Sequence, residues 1–322
     1  MNKEELINRV SFALGDGHKE LQLYGFIAND DNPYHISISE VLETELLGVI
    51  ATGIQSLIVD KNYEIVDFST ADERKERYYQ YDLDEKPERM LCMSSVIGNH
   101  GIQEFNLNPQ SITTLNTLIL AISDGIGHTF TVYKVLSPVE KVAKSSKSLL
   151  ARIGIGNNVL DEEQQPLLKI GPKFQIIYTE ANGNGTYIFL DSSVIEAKFD
   201  LNQILENQAA RDIGVIQRTN LLSEVTKLQH YAQKSSFSKK LVGVIKSSKV
   251  IKDNISKSRI LWFIENDDEL KDKLTISEKD GDRYIDLTSI ESAKYFLDLL
   301  NDEYVFSALT EQKYQAVDKD ER

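Results

Sequence analysis

Residues 174–190, FQIIYTEANGNGTYIFL, carry the strongest structural signal in the chain. Two apolar runs, 174–178 and 187–190, flank the turn sequence Ala-Asn-Gly-Asn-Gly at 181–185. Asn-Gly supplies the positive backbone φ angles that tight hairpin turns require. The stretch therefore predicts an antiparallel β-hairpin.

Strand and helix patterns both occur on either side of this hairpin. Residues 129–136, TFTVYKVL, are β-branched and aromatic and predict a strand. Ser39, with Glu43 close behind, predicts the start of a helix that continues to about residue 57. We predict an α+β fold with a mixed N-terminal domain at 1–153 and a C-terminal domain at 172–322, built from the hairpin and helices. The boundary falls in the polar, glycine-spotted stretch between them.

Three further apolar stretches give expectations. Residues 109–122 place Ile112, Leu115 and Leu118 on one side of a helix. Residues 260–264 predict a strand, and residues 274–287 predict a second hairpin.

The charges of the chain are unevenly distributed. The sequence has 36 basic and 50 acidic residues, for a net charge of -14. Against this background, residues 134–152 carry a net +4 and residues 227–259 a net +8. Such asymmetry indicates an interaction surface. Because salt screens charges beyond about 8 Å, a phosphate on a basic patch would feel distant carboxylates only weakly.

The longer of the two basic stretches, residues 227–259, is called the basic segment below. If residues 239–257 form one helix, apolar and basic side chains fall on opposite faces. Such a face is an ordinary solvated surface, a phosphate-binding surface, or a surface for anionic membranes. Serines between the lysines suit phosphate contacts, whereas the apolar face lacks the aromatic anchors of a membrane-binding helix beyond Phe237. The candidate DNA-contacting residues are Lys227, Lys234, Lys239, Lys240, Lys246, Lys249, Lys252, Lys257 and Arg259, with Lys141, Lys144, Lys147 and Arg152 of the shorter stretch.

Cellular location is constrained by the single cysteine and by hydropathy. Cys92 alone excludes a disulfide framework and a Cys-based zinc site, and fits a reducing compartment. Residues 46–59 are too short and too polar for a membrane span of about 20 residues. We expect a cytoplasmic protein whose membrane contact is peripheral, through a partner.

Catalytic patterns are weak in this sequence. Asp191 followed by Glu196-Ala197-Lys198 formally resembles the acidic motif of metal-dependent nucleases. However, those ligands belong on paired elements, whereas this segment reads as a strand running into a helix. The five histidines form no metal-binding pair, and no phosphate-binding loop is present. We predict no catalytic residue, no metal site and no cofactor.

The second half of the chain resembles a known family. The resemblance covers about residues 130–322, and its features are the hairpin, Ile195-Glu196-x-x-Phe199, FLDLLNDEY at 296–304, SALT at 307–310, and Tyr314. On these residues the chain resembles the KwaB family of the Kiwa anti-phage defence system. One departure is Val194-Ile195-Glu196, where the family commonly has Phe-Glu at the start of the helix.

The resemblance implies a cytoplasmic DNA-binding protein without an obvious catalytic motif. It also implies a homodimer that works with a small membrane-embedded partner, KwaA. It assigns no DNA-contacting residue, so those above rest on charge alone. The leading hypothesis is a defence effector that binds double-stranded DNA non-specifically. Two alternatives stay open: a scaffold whose basic face docks a protein partner, and a metal-dependent nuclease.

Overall fold

The computed structural model describes residues 1–28, 30–70, 76–96, 99, 101–105, 114–136, 170–181, 183–191, 199, 201–306 and 313–315. The chain divides into two compact units. The first contains Met1–Phe68, Glu73–Tyr81 and Lys86–Phe199; the second contains Ser69–Asp72, Asp82–Glu85 and Asp200–Arg322. The second unit therefore takes two short segments from the first third of the sequence.

The first unit combines strands with three α-helices among its described residues. The helices are α1 (Lys3–Val10), α2 (Glu40–Ile54) and α3 (Glu88–Ser95). The strands are β1 (Glu20–Ile27), β2 (Tyr34–Ile36), β3 (Glu64–Asp67), β4 (Arg77–Gln80), β5 (Leu115–Ser123), β6 (Thr129–Val135), β7 (Ile176–Ala181) and β8 (Asn184–Phe189).

These eight strands form one mixed sheet in the order β2-β1-β5-β6-β7-β8-β4-β3. All neighbours are antiparallel except β3 and β4, which are parallel. The predicted α+β class is confirmed.

One face of the sheet packs on α1 and α2. Because alternate residues of a strand point to opposite faces, Leu23, Leu120 and Val132 lie on the same face. They share one hydrophobic core with Leu6 of α1 and Leu46 of α2. The predicted start of α2 is confirmed, since the Ser39 side chain accepts a hydrogen bond from the Leu42 amide.

The opposite face of the sheet carries α3. Thr131 of β6 donates a hydrogen bond to the Met93 carbonyl at 3.3 Å, and Tyr24 of β1 donates one to the Val96 carbonyl at 3.0 Å. Met93 is fully buried. Helices therefore cover both faces of the sheet, which explains why its central strands are apolar on both sides.

The helix predicted over residues 109–122 is wrong for its second half, because Leu115–Ser123 is strand β5. Residues 106–113 lie outside the described residues. β5 pairs with β1 on one side and β6 on the other, and both of its faces are buried. A strand buried on both faces loses the polar–apolar alternation that identifies strands, so its apolar run also fits a helix.

The predicted Asn-Gly hairpin is confirmed by the pairing of β7 with β8. Ala181 is opposite Asn184, and Gly183 has a φ of 76°. The hairpin lies in the first unit, because β7 also pairs with β6 of the same sheet. The two units therefore divide after Phe199, whereas the sequence placed the division between residues 153 and 172.

The second unit is mainly helical in its described part. Its helices are α4 (Leu201–Arg218), α5 (Thr226–Tyr231), α6 (Ser235–Ser247), α7 (Lys249–Lys252), α8 (Lys257–Asn266), α9 (Leu270–Lys273) and α10 (Ile290–Leu300). Two small antiparallel pairs accompany them: β9 (Thr275–Lys279) with β10 (Asp282–Asp286), and β11 (Tyr304–Phe306) with β12 (Lys313–Gln315).

Two expectations for this unit have opposite outcomes. The hairpin predicted at 274–287 is confirmed by β9 and β10. The strand predicted at 260–264 is wrong, because these residues lie in α8. The Ser256 side chain caps this helix by accepting a hydrogen bond from the Arg259 amide, and Ile260, Leu261 and Ile264 are buried at helical spacing.

Candidate nucleic-acid interface

The basic segment comprises three helices and the first turn of a fourth, all in the second unit. The single helix expected over residues 239–257 is wrong, since α6 ends at Ser247 and α7 begins at Lys249. Ser248 causes the break. Its backbone is extended, with a ψ of 116°, and its side chain caps α7 by accepting a hydrogen bond from the Ile251 amide at 3.0 Å. The Ser248 hydroxyl also donates to the Leu300 carbonyl.

α6 is fixed in place by its apolar face. Phe237, Leu241 and Val244 are buried, at the three- and four-residue spacing of one helix face. The Ser238 hydroxyl, also buried, donates a hydrogen bond to the Ala232 carbonyl at 2.6 Å. The backbone that carries the central lysines is therefore anchored in the core of the unit.

Four of the candidate lysines form ion pairs with carboxylates of the second unit. Lys227 lies 3.2 Å from Asp286 Oδ1, and Lys246 lies 2.8 Å from Asp82 Oδ2. Lys240 pairs with the buried Asp298. A carboxylate at contact distance offsets most of the attraction that such a lysine offers to a phosphate.

Lys257 forms the fourth of these pairs and also contacts an aromatic ring. Its Nζ lies 2.8 Å from Asp282 Oδ2 and 3.7 Å from the centroid of the Tyr284 ring. The hydrogen bond from Lys257 is the main reason why the pKa of Asp282 is lowered. Lys257 therefore stabilises the contact between α8 and the β9–β10 hairpin.

Lys234, Lys252 and Arg259 are exposed cations of the segment that lie outside these ion pairs. Each is solvent-exposed, and none forms an ion pair with a carboxylate of the described residues. Lys249 is also exposed, whereas Lys239 is partly buried. Of the nine candidates of the segment, four lysines are thus ion-paired, and three cations face solvent without a carboxylate partner among the described residues.

The remaining candidates lie outside the described residues. These are Lys141, Lys144, Lys147 and Arg152 of the shorter basic stretch, together with Glu196 and Lys198 of the nuclease-like motif. Their placement relative to the basic segment stays a prediction.

Sequence reasoning missed Trp262. The pattern predicts a strand at this position, but Trp262 lies on α8 and is 62% exposed. Arg259 lies three residues earlier on the same helix. The sequence does contain a signal for this residue. Trp262 is the only tryptophan of the chain, and it follows the basic segment closely.

The described ranges contain no group of three or more His, Cys, Asp or Glu side chains able to hold a metal ion. A surface cavity of about 390 Å³ in the first unit is lined by Asn32, Tyr34, Cys92 and Gln103, among others. Burial raises the pKa of the Cys92 thiol, so it is protonated at neutral pH and a weak nucleophile.

One helical stretch of the described chain, Glu40–Val59, is long and apolar enough to cross a membrane. The expectation that this region is too short considered only residues 46–59. The side chains of Leu46, Ile50, Ile54 and Ile58 are buried in the core of the first unit. A core helix of a soluble protein passes the same length and composition test, so the stretch is weak support for a membrane span.

The fold and the basic segment together define an acidic, two-unit α+β protein with a cationic helical surface. The family model described as "Kiwa protein KwaB-like" matches residues 114–310. The chain therefore belongs to the KwaB-like family, as the sequence resemblance indicated. Membership supports a role in anti-phage defence.

A curated relative agrees with this assignment over most of the chain. The Kiwa protein KwaB of Escherichia coli O55:H7 (strain RM12579 / EPEC) is 23% identical over 285 residues, covering 87% of this chain and 88% of the relative. No solved structure matches the chain.

Proposed function

We propose that this chain is an anti-phage defence effector that binds the backbone of double-stranded DNA, without reading sequence, through its basic segment. The observation that carries the proposal is the group of exposed cations Lys234, Lys252 and Arg259, within a segment of net charge +8 in an otherwise acidic chain. Lysine and arginine contacts to phosphate position a protein on DNA and carry no sequence information. Membership of the KwaB-like family supports the defence context.

The ion pairs reduce the number of contacts that this mechanism can use. Counting every basic side chain of the segment would give nine contacts. With only the three exposed cations that lack a carboxylate partner among the described residues, log K should fall with log[salt] at a slope of about -2.7, since each contact contributes about -0.9. A slope near -6 would instead mean that the four ion-paired lysines exchange their carboxylates for phosphates and bring the number of contacts to seven.

The direct test is fluorescence anisotropy of a labelled duplex, titrated with the protein from low to high salt. The test variant combines Lys234→Glu, Lys252→Glu and Arg259→Glu. A matched control makes the same change of charge at three exposed residues elsewhere, Lys86→Glu, Arg218→Glu and Lys294→Glu.

We expect salt-dependent binding by the wild type, large loss in the test variant and near-wild-type binding in the control. Equal loss in both variants would show that net charge, and not the basic segment, governs affinity. An affinity independent of salt would exclude the electrostatic mechanism. No binding by the wild type at low salt would favour the docking alternative, in which the same surface meets an acidic protein.

The proposal also includes a cytoplasmic location, a homodimer and a membrane-embedded partner of the KwaA type. Its support is the family resemblance. We expect the tagged chain to sediment with membranes only when the partner is co-expressed, and to have twice the monomer mass in sedimentation equilibrium. Recovery in the soluble fraction with and without the partner would contradict the membrane role, and a monomer mass would contradict the dimer.

A further inference from the structure

Trp262 is an exposed aromatic side chain on an otherwise well-packed helix. α8 buries Ile260, Leu261 and Ile264, while Ser258, Arg259 and Trp262 face solvent. Large aromatic side chains are mostly buried in folded proteins. An exposed indole on a rigid, capped helix is therefore a feature that folding alone does not account for.

The direction of the side chain places the indole near positive charge. Side chains on an α-helix lean towards its N-terminus and cover the turn before their own Cα. For Trp262 that turn contains Ser258 and Arg259. That turn is the first turn of α8, so the positive end of the helix dipole lies there as well.

The acidic residue that follows Trp262 on the same face is already engaged. Glu265 pairs with Arg283 of β10. The Asn266 amide donates a hydrogen bond to the Trp262 backbone carbonyl at 2.7 Å, which orders the end of the helix. Positive charge from Arg259 therefore lies on the side of Trp262 towards the helix N-terminus. On the side towards the C-terminus, the charge of Glu265 is neutralised by Arg283.

A nucleobase flanked by a phosphate fits this arrangement. Proteins that bind single strands combine a cationic groove with aromatic side chains on which unpaired bases stack, because every base has a π face. A duplex offers such a base only at frayed, nicked or flipped positions, where extrusion from the stack costs a few kcal/mol.

We propose that Trp262 is a stacking platform for an unpaired nucleobase, with Arg259 contacting the adjacent phosphate. On double-stranded DNA the preferred positions are therefore those with single-stranded character, at ends, gaps or displaced strands. This inference rests on the proposed DNA binding. It specifies which structural form of DNA the same surface binds.

The chain provides its own probe, since Trp262 is its only tryptophan. Excitation selective for tryptophan reports this side chain alone, and stacking on a base quenches its emission. The ligands are an oligothymidylate, an abasic strand of equal length with the same backbone charge, and a blunt duplex.

The expected result is strong quenching by oligothymidylate and little by the abasic strand, at concentrations where anisotropy shows that both are bound. In anisotropy, Trp262→Leu should weaken oligothymidylate binding by about 5- to 150-fold, the equivalent of about 1–3 kcal/mol for one stacked base. Trp262→Tyr should restore much of the affinity, because the tyrosine ring also stacks. Abasic binding should be the same in all three proteins.

Several results would overturn the inference and can be told apart. Duplex binding without quenching by oligothymidylate would remove the stacking role and leave the proposed DNA binding intact. A shift of the emission with protein concentration, without DNA, would show that a second copy of the chain covers Trp262. No binding of any strand would contradict the DNA-binding function itself.

Discussion

Lys246 donates a hydrogen bond to Asp82, with 2.8 Å between Nζ and Oδ2, across 164 positions of sequence. Both residues belong to the second unit. The Asp82 carboxylate also accepts hydrogen bonds from the amide and hydroxyl groups of Ser69. One carboxylate thus joins two short segments from the first third of the chain to helix α6. A lysine that reads as DNA-contacting in the sequence is, in the fold, part of the structural framework.

Asp82→Asn should destabilise the second unit. The change removes a charge from a mostly buried ion pair, so we expect the free energy of unfolding to fall by about 1–3 kcal/mol. The loss of helical circular dichroism during urea titration reports this mainly helical unit. Asp84→Asn, at an exposed neighbour, is the matched control and should leave the urea midpoint unchanged. A wild-type midpoint for Asp82→Asn would mean that the pair contributes nothing.

The salt dependence of DNA binding should respond to single substitutions at exposed cations. Lys252→Ala and Arg259→Ala should each reduce the magnitude of the salt slope by about 1, because one phosphate contact is lost. Lys227→Ala should leave the slope unchanged, since Lys227 is paired with Asp286. Slopes from anisotropy titrations at a series of salt concentrations decide between these outcomes. An equal decrease in all three variants would refute the division into paired and exposed cations.

Ser248→Ala should weaken the junction between α6 and α7. It removes the cap of α7 and leaves the Leu300 carbonyl without its hydroxyl donor, so we expect a loss of about 1–3 kcal/mol. Ser236→Ala, at an exposed position of α6, should be neutral or slightly stabilising because alanine has the higher helix propensity. Urea unfolding followed by helical circular dichroism compares the two variants. Equal midpoints would contradict the structural role of Ser248.

Two glycines of α2 should respond oppositely to alanine. A Cβ at Gly53 would collide with the Pro172 carbonyl and the Phe174 ring, so Gly53→Ala should destabilise the first unit by about 1–3 kcal/mol. A Cβ at Gly48 meets nothing within 4 Å, so Gly48→Ala should stabilise it by up to about 1 kcal/mol. Thermal unfolding followed by circular dichroism gives both values. A higher melting temperature for Gly53→Ala would show that α2 does not approach residues 172–174 so closely.

The turn between β5 and β6 should contribute to acid sensitivity. Desolvation opposes ionisation of Asp124, but hydrogen bonds from the His128 ring and from the Ile126 and His128 amides outweigh it and lower its pKa from 3.8 to about 2. A lowered pKa in the folded state contributes stability above about pH 4 that is lost as the pH falls towards 2. Asp124→Asn should therefore reduce the pH dependence of the urea midpoint between about pH 2 and pH 4. Asp16→Asn, at an exposed site, should leave this pH dependence unchanged. If the urea midpoint of Asp124→Asn still falls steeply with pH, other titrating groups cause the acid sensitivity.

Local signals predicted several elements of this fold. The β7–β8 hairpin follows from Asn-Gly between two apolar runs, and α2 follows from its Ser39 cap. β5 and α8 were misassigned because each is a short apolar run without alternation. For β5 the reason is burial on both faces, and for α8 it is the sequence ILWFI, in which buried and exposed apolar residues adjoin.

The candidate interface was only partly predictable. The charge pattern of the sequence is enough to locate the interface in the basic segment. It does not tell which lysines remain exposed. The carboxylates that engage Lys227, Lys246 and Lys257 lie 59, 164 and 25 positions away, and no local pattern links them. Trp262 could be located in the sequence, but its exposure depends on the helix that positions it.

The order of the sheet has a consequence for synthesis on the ribosome. β3 and β4 are made early, yet β4 joins the sheet through β8, which contains Ile188 and Phe189. β3 and β4 therefore cannot join the sheet until more than a hundred further residues have been synthesised. During that interval Tyr79 lacks its neighbour on β8, Phe189, and a nascent chain paused before residue 189 would be exposed to aggregation through unpaired strand edges.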